Sequence, residues 1–294
     1  MMSRILVTGA AGQLGQAVIR HLLETYHVPA ANIVAATRDV SRLSALAAKG
    51  VEVRHADFDD PASLDAAFSG IDTLLVISTD ALMVPGLRLR QHQTAVEAAT
   101  RAGIRHIAYT SMPSPDKSLV SFAPDHLGTE TAIKASGLPY TILRNAWYFD
   151  NHLHGMPQNL KNGQWFTARG NGRVADISRE DCAHAAAATL LKPAENRTYT
   201  LTGAETSTAD GLASLISEVT GKPLAVVQVT PEQLKQAITA TGLPEIIAGM
   251  IASADANIAA GNFDIVTRDF ETLTGATPQS AADFFSVHKS ALLG

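Results

Sequence analysis

The sequence is poor in cysteine, and this scarcity limits what the protein can be. Cys182 is the single cysteine among 294 residues, so no intrachain disulfide can form. A reducing cytoplasm is therefore the expected compartment. Because Cys182 lies in an alanine-rich helical pattern, we expect it to be a small core residue.

Basic clusters and long apolar runs are also absent. The net charge of −5 and the dispersed Lys and Arg residues argue against a nucleic-acid-binding surface. No apolar run approaches the roughly 18 residues of a membrane-spanning helix. Near the start of the chain, Gly9 and Gly12 interrupt an apolar stretch before it could serve as a signal-peptide core. We therefore expect neither nucleic acid nor a membrane as a partner.

The motifs of metal sites and of serine hydrolases are missing as well. His152, His154 and the other histidines have no accompanying Cys or carboxylate at a spacing such as His-Glu-x-x-His, so no metal site is expected. The sequence also contains no Gly-x-Ser-x-Gly elbow. What remains is an ordinary globular composition, with 46% hydrophobic and 17% charged residues, in a chain long enough for a large α/β domain and a smaller lobe.

A glycine-rich stretch near the start carries the first functional signal. The apolar run Ile5–Val7 predicts a buried strand, and an amphipathic helical pattern begins by Leu14. Gly9, Gly12 and Gly15 therefore lie on a strand-to-helix turn, where free amides attract a phosphate and glycine lets the backbone approach it. The spacing is one residue wider at the front than Gly-x-Gly-x-x-Gly. A glycine-rich turn without a ligand is the alternative.

Six apolar strands alternate with helices over the first 145 residues or so. They are predicted at residues 5–7, 32–38, 51–57, 73–78, 104–110 and 139–144. Among the helices between them, one follows Ser41 as a candidate cap, one opens at Pro61, one spans about 89–102 and one spans about 125–136. Parallel neighbours need crossovers of this length, so the pattern predicts an α/β, doubly wound parallel sheet.

Beyond Asn145 the alternation becomes less regular. Short strands are predicted at 163–166, 173–177, 198–201 and 224–229, with mostly helix to the end and a capping-box-like pair at Ser178 and Asp181. We expect a dinucleotide-binding domain over residues 1–150 and a smaller, mostly helical substrate lobe over 151–294. The boundary is not clean, because the chain can cross between the lobes more than once.

The residue that ends the second strand bears on the choice of nucleotide. An acidic residue there would accept hydrogen bonds from a ribose, whereas arginine favours a 2′-phosphate. Arg38 stands 23 residues beyond Gly15, at about the expected distance, and its guanidinium suits phosphate geometry. Asp39 should point elsewhere. The alternative is a solvated arginine at a strand end; we take NADP(H) over NAD(H).

Polar residues end the next strands too. Asp57 ends the third strand, where it could reach an adenine amino group or serve equally as a capping or turn residue. Ser78 and Thr79 follow the fourth strand, and Thr110 and Ser111 end the fifth. Hydroxyls at these carboxyl ends lie along the crevice in which open α/β sheets bind ligands. Each by itself is more typical of a loop residue that satisfies the backbone.

With these residues assembled, the chain resembles the NmrA-like branch of the atypical short-chain dehydrogenase/reductase superfamily. Within it, the likeness is greatest to bacterial NADPH-dependent quinone reductases, with triphenylmethane-dye reductases almost as similar. The segments that carry the resemblance are Thr8-Gly-Ala-Ala-Gly-Gln-Leu-Gly15, Val34-Ala-Ala-Thr-Arg38, His106-Ile-Ala-Tyr-Thr-Ser111, His126-Leu-Gly-Thr-Glu130 and Tyr140-Thr-Ile-Leu-Arg-Asn-Ala-Trp-Tyr148.

The resemblance implies a Rossmann sheet that binds NADPH, with a small C-terminal substrate lobe. No flavin is expected, because the hydride can pass directly from NADPH to the acceptor. Together with Asp57 and Thr79 from the strand ends, the cofactor-binding residues are predicted to be Gly9, Ala10, Ala11, Gly12, Gln13, Leu14, Arg38, Ser78, Leu143, Arg144, Asn145, Ala146 and Trp147. The loop Gly170-Asn-Gly-Arg173 is implied to approach the cofactor, on a weaker likeness.

One departure from the superfamily pattern matters for mechanism. Aligning His126 and Glu130 with the superfamily's Lys-x-x-x-Glu puts Phe122 in place of the tyrosine that moves a proton. A quinone does not need that tyrosine, because it accepts hydride directly and yields a stable aromatic anion. We expect Asn145 and Tyr148 to hydrogen-bond a carbonyl oxygen. His126, with a pKa near neutrality, is the candidate proton donor, or else a structural residue.

Two rival functions remain open from the sequence. NmrA itself resembles this fold, binds the dinucleotide and regulates a partner without turnover, so a redox sensor is one alternative. A reductase of triphenylmethane-like dyes is the other. The helix before Gly103 and the helix after Asp125 are candidates for pairing in a homodimer.

Overall fold

The first apolar run forms a strand at the interior of a parallel sheet, in a computed structural model that describes residues 3–294. The strands are β1 Ile5–Val7, β2 Ile33–Thr37, β3 Glu52–His55, β4 Thr73–Val76, β5 His106–Ser111, β6 Tyr140–Asn145, β7 Gln164–Thr167, β8 Arg197–Leu201 and β9 Ala225–Gln228. The helices are α1 Gln13–Arg20, α2 Ser44–Ala48, α3 Pro61–Phe68, α4 Leu87–Ala102, α5 Ala123–Ala135, α6 His152–Asn162, α7 Arg179–Leu190, α8 Ala209–Thr220, α9 Pro231–Ala240, α10 Glu245–Ala259, α11 Asp269–Thr274, α12 Ala281–Val287 and α13 Lys289–Leu293.

Within residues 3–294, seven strands form one sheet in the order β3-β2-β1-β4-β5-β6-β8. The first six strands of the chain pair in parallel; Ile5 of β1, for example, lies opposite Ile33 of β2 on one side and Thr73 of β4 on the other. The strand order reverses between β1 and β4, which is the position where open α/β sheets form a ligand crevice. The predicted Rossmann-type, doubly wound sheet is confirmed.

The described chain forms two compact units and enters each of them three times. The first unit contains residues up to Met112, then Asp125–Arg144 and Cys182–Tyr199. The second unit contains Pro113–Pro124, Asn145–Asp181 and Thr200–Gly294. Within each unit, segments that are distant in the sequence therefore pack together.

In the first unit, one core cluster includes α3, α4 and α5 packed on the sheet. Helix α3 begins where the Asp60 carboxylate accepts a bond from the Ala62 amide and Pro61 occupies the first turn, as its sequence predicts. The buried side chains of this cluster are Leu6, Val34, Ala36, Ala56, Phe58, Leu64, Ala67, Phe68, Ile71, Leu74, Val76, Ala95, Val96, Ala98, Ala99, Ile104, Ile107, Tyr109 and Ile133.

The second unit has its own apolar core and a small parallel pair of strands, β7 and β9. Phe284 and Phe285 of α12 pack with Phe149 in this core. The strand predicted at residues 173–177 is wrong: this segment makes only isolated bridges, at Val174 and Ile177. Its apolar residues are buried within the fold without forming a ladder of paired strands.

Of the two serines predicted to cap helices, one does so and the other does not. Ser178 does cap α7, since its hydroxyl accepts a bond from the Asp181 amide. Ser41, expected to cap the next helix, instead donates to Asp39, whose carboxylate caps the 3₁₀ turn Val40–Leu43. Cys182 is buried, which confirms it as a core residue. No helix among residues 3–294 is long and apolar enough to cross a membrane.

Candidate dinucleotide-binding site

The glycine-rich turn between β1 and α1 is so tight that a side chain would overlap the backbone at Gly15 and would be crowded at Gly12. Gly9 adopts a left-handed backbone with φ +59°, which glycine tolerates best. The Gly12 amide donates to the Gly9 carbonyl at 2.9 Å. A Cβ on Gly15 would overlap that same carbonyl and lie 2.8 Å from the Ala10 Cα, and one on Gly12 would lie 3.2 Å from the carbonyl oxygen. The turn therefore presents bare backbone.

Helix α1 begins directly after this turn, at Gln13. Gly12 is its N-cap, and among the described residues no side chain caps it and no acidic residue lies in its first turn. The first amides of a helix lack intrahelical acceptors and carry a partial positive charge. Gln13 is exposed and Leu14 half-buried, whereas Ala10 and Ala11 are buried. This arrangement fits a pyrophosphate, as the glycine spacing predicts.

Arg42 contacts this turn and Arg38 follows the neighbouring strand β2; the sequence interpretation found only Arg38. Arg38 follows β2 directly, and its side chain is 68% exposed. Arg42 lies one turn further and donates from Nη2 to the Ala11 carbonyl at 3.2 Å, so its guanidinium reaches the glycine-rich turn. The Asp39 carboxylate accepts hydrogen bonds from the hydroxyl and the amide of Ser41. These bonds hold the pKa of Asp39 below its usual range. A second arginine four residues beyond the first was the available signal.

Asp57 has the turn role that was one of its two expected roles. One of its carboxylate oxygens accepts from the Asp59 amide at 3.0 Å, and its own amide donates to the Ser63 hydroxyl at 2.9 Å. Asp59 is in turn held by Gln91 of α4, which donates to its second carboxylate oxygen at 2.7 Å. Contact of Asp57 with an adenine stays a prediction.

The segment that follows β4 is fixed by hydrogen bonds on both sides. The Ser78 amide donates to the Thr110 hydroxyl at 2.9 Å. The Thr79 amide donates to His92 Nε2 at 2.9 Å, and the Thr79 carbonyl accepts from Arg88 Nε at 2.7 Å. Both partners belong to α4. Ser78 and Thr79 thus lie at the carboxyl edge of the sheet, where the sequence predicts a ligand.

A buried polar cluster of Arg88, His92, Tyr109, His126 and Thr129 lies behind this segment. His92 accepts at Nε2, so Nδ1 carries its proton and donates to the Thr129 hydroxyl at 2.9 Å. Burial, helped by Arg88, lowers the pKa of His92 to about 3. Burial also raises the pKa of Tyr109 above its ordinary value of 10.0. His92 and Tyr109 are therefore neutral at pH 7, and they hold their hydrogen bonds in fixed directions.

His126, expected to supply a proton, belongs to this buried cluster. Its Nε2 lies 3.0 Å from Arg88 Nη2, which can only donate, so Nε2 is an acceptor and Nδ1 faces the Tyr109 hydroxyl at 2.8 Å. Burial, followed by repulsion from Arg88, holds the pKa of His126 well below 6.5. The expected near-neutral pKa is wrong, because the sequence does not show the desolvation. We assign no proton donation to it.

Glu130 forms the centre of a second buried network in the first unit. Its Oε1 accepts from the Ser111 hydroxyl at 2.7 Å and from Arg144 Nε at 2.9 Å, and its Oε2 accepts from Arg144 Nη2 at 2.7 Å. Leu143 is fully buried in the sheet. The side chains of Leu143 and Arg144 are thus engaged inside the fold, so the predicted cofactor contacts of these two residues would involve their backbone.

In the second unit, Asn145 and Tyr148 are joined directly. Asn145 Nδ2 donates to the Tyr148 hydroxyl at 2.8 Å, while its buried Oδ1 has no partner among the described residues. Ala146 is buried, and the Trp147 ring packs 6.2 Å from the Phe263 ring. Their expected contact with a carbonyl oxygen stays a prediction.

The loop at residues 170–173 is anchored within the second unit. Arg173 Nε donates to the Thr206 hydroxyl at 2.7 Å. A Cβ on Gly172 would overlap the Ile258 carbonyl at the end of α10, so glycine is required for that close approach. The implied approach of this loop to the cofactor stays a prediction.

Comparison with known proteins places this geometry in a family. The model of the NmrA-like family matches residues 1–272. Quinone oxidoreductase 2 of Escherichia coli K12 is 36% identical over 96% of this chain and 97% of its own length. The crystal structure of the E. coli NADPH-dependent quinone oxidoreductase with NADPH matches at a TM-score of 0.92, covering 96% of this chain and 99% of that one. That of the Citrobacter triphenylmethane reductase with NADP(H) matches at 0.90 and 38% identity, covering 97% and 99%. The chain belongs to the NmrA-like family.

Proposed function

We propose that this protein is an NADPH-dependent reductase whose acceptor is a quinone-type molecule. The observation that carries the proposal is the bare-backbone turn at Gly9, Gly12 and Gly15, with Arg42 in contact with it and Arg38 directly after β2, in a chain similar over nearly its whole length to a quinone oxidoreductase. The turn accepts the pyrophosphate, and Arg38 with Arg42 favours the extra phosphate that distinguishes NADPH from NADH.

The residues fit the cofactor, and their task is mostly to bind and to orient. When bound, NADPH supplies the hydride that, with one proton, converts a quinone to its hydroquinone. The first-turn amides of α1 hold the pyrophosphate, and Ser78 and Thr79 fix the other half of the dinucleotide at the sheet edge. Because Phe122 replaces the usual tyrosine in the alignment and His126 is buried and neutral, the proton comes from water.

Asn145 and Tyr148 are the proposed polar contacts of the acceptor. The phenol oxygen of Tyr148 accepts a hydrogen bond from Asn145 Nδ2, and a phenol can also donate a hydrogen bond to a carbonyl oxygen. A donor of this kind stabilises the negative charge that develops on the oxygen during reduction. The Tyr148 ring also lies against the Arg179 guanidinium, 5.3 Å from its centroid, and Arg179 is itself held by Asp150. The phenol therefore has a fixed orientation.

The direct test measures NADPH consumption by purified protein with a simple benzoquinone. Quinone-dependent oxidation of NADPH, faster than oxidation of NADH, is expected. Binding of NADPH without consumption would favour a redox sensor of NmrA type. Faster turnover of a triphenylmethane dye than of quinone at matched concentrations would favour a dye reductase. Failure to bind NADPH at all would overturn the proposal.

A second test concerns the acceptor contacts. Tyr148→Phe is expected to lower kcat with quinone by about 10- to 100-fold, with little change in NADPH affinity, since it removes one donor to the developing charge. Tyr140→Phe, at the other end of β6, is the matched control and should leave kcat unchanged. Full activity of Tyr148→Phe would remove this residue from the site.

A further inference from the structure

Helix α4 presents two side chains to one peptide group at the carboxyl edge of the sheet. Arg88 and His92 are four residues apart, so they project from the same face of the helix. Arg88 Nε donates to the Thr79 carbonyl at 2.7 Å, and His92 Nε2 accepts from the Thr79 amide at 2.9 Å. Both hydrogen-bonding groups of Thr79's backbone are thus held by side chains of α4 rather than by solvent.

This arrangement is costly, which argues that the position of Thr79 matters. Arg88 is only 4% exposed and His92 is fully buried. Burial lowers the pKa of Arg88, and the nearest counter-charge, Asp125, lies 4.0 Å away. Burying a charged guanidinium costs free energy that an ordinary solvated loop does not incur. A loop that only connects two elements could have its backbone hydrated instead.

The hydroxyl of Thr79 is the group that this clamp orients. Its Oγ1 is buried and has no hydrogen-bond partner among residues 3–294. Unsatisfied buried hydroxyls are rare in folded proteins, and a ligand is one common partner. Thr79 follows β4, which lies across the reversal of strand order from β1 and β2. In the proposed function, Arg38 at the end of β2 binds the 2′-phosphate of the adenosine half. The nicotinamide half of the same dinucleotide then lies at the other side of the crevice, at the end of β4.

We propose that Arg88 and His92 are positioning residues, which fix the Thr79 peptide so that its hydroxyl binds the nicotinamide-ribose half of the dinucleotide. This inference rests on the proposed NADPH binding. In this arrangement Arg88 and His92 of α4 influence how the cofactor is bound by holding Thr79, and neither side chain has to contact the cofactor itself.

The test compares two ligands that share only the adenosine half. NADPH and adenosine 2′,5′-bisphosphate are titrated into the wild type, Thr79→Val, His92→Leu and His106→Leu by calorimetry. His106 is the matched control: it is also buried, with a pKa lowered to about 4, but it pairs with Thr141 instead of Thr79. Thr79→Val and His92→Leu are expected to weaken NADPH by about 5- to 10-fold and the bisphosphate by less than twofold. His106→Leu should not change the ratio of the two affinities.

A conservative replacement separates positioning from general damage. His92→Gln can still accept from the Thr79 amide and should recover most of the NADPH affinity lost in His92→Leu, whereas Arg88→Met should behave like His92→Leu. The inference would be overturned if Thr79→Val and His92→Leu lowered the affinities for both ligands equally, or lowered neither. Either result would leave NADPH binding by the wild type intact. If His92→Leu does not fold, Arg88→Met, which removes the other contact of the clamp, decides together with Thr79→Val. A wild type that binds neither ligand would instead overturn the proposed function.

Discussion

Selectivity for the phosphorylated dinucleotide should depend measurably on Arg38. Replacing Arg38 with glutamine removes a charge that faces the proposed 2′-phosphate but leaves the pyrophosphate cradle untouched. Two unit charges about 4 Å apart interact by about 1 kcal/mol in bulk water and about 4 kcal/mol near a less hydrated protein surface. The Arg38 side chain is 68% exposed, which puts the expected loss toward the lower end, at about 1–2 kcal/mol. NADPH affinity should therefore fall about 5- to 30-fold, with NADH affinity unchanged.

The neighbouring charges do not alter this expectation. Asp80 lies 3.9 Å from Arg38, but its side chain is 91% exposed and such a surface pair contributes little. Arg42 remains in Arg38→Gln and keeps part of the selectivity. Arg38→Asp should have a larger effect, because it also places a repelling carboxylate near the phosphate.

The assay is titration with NADPH and with NADH, followed by the fluorescence of the reduced nicotinamide, at low and high salt. Arg101→Gln serves as the control, because Arg101 is a half-exposed arginine of α4 that pairs with Asp65. The selectivity of the wild type should fall with added salt, and that of Arg38→Gln should be less sensitive to salt. Equal losses for both nucleotides in Arg38→Gln would refute the assignment of Arg38 to the phosphate.

Further outcomes test the packing and the buried charges. Gly15→Ala should lower the free energy of unfolding by about 1–3 kcal/mol, because its Cβ overlaps backbone, whereas Gly155→Ala, with open space around it, should not; thermal melting measures both. Glu130→Gln should cost about 1.5–3 kcal/mol in urea unfolding, since its arginine partner loses a charge-assisted bond, and an unchanged midpoint would contradict the buried network. His92 and His106 have pKa values lowered to about 3 and about 4, so they bind protons mainly on unfolding. Their contribution to the free energy of unfolding should be full above about pH 6.5 and should fall by about 1.4 kcal/mol per pH unit per histidine below it. In urea unfolding between pH 7 and pH 5, the free energy of unfolding of His106→Gln should therefore decline less steeply than that of the wild type.

Buried ionisable residues show where sequence patterns are insufficient. Helix α5 forms about where the sequence predicts it, and Glu130 on this helix is bonded to Arg144. The pKa expected for His126 is wrong, because it depends on the exclusion of water by segments far away in the chain. Arg42 was overlooked for a similar reason: its contact with Ala11 joins positions 31 residues apart.

The sequence by itself determined the parallel sheet, the glycine-rich turn and the family, because strand periodicity, glycine spacing and short motifs are local properties of the chain. Only the tertiary structure decided which polar groups face one another. The clamp of Arg88 and His92 on Thr79, and the protonation of the histidines behind it, follow from burial and from distances across the fold. Desolvation and hydrogen-bond geometry depend on every neighbouring element at once, so no local pattern of residues encodes them.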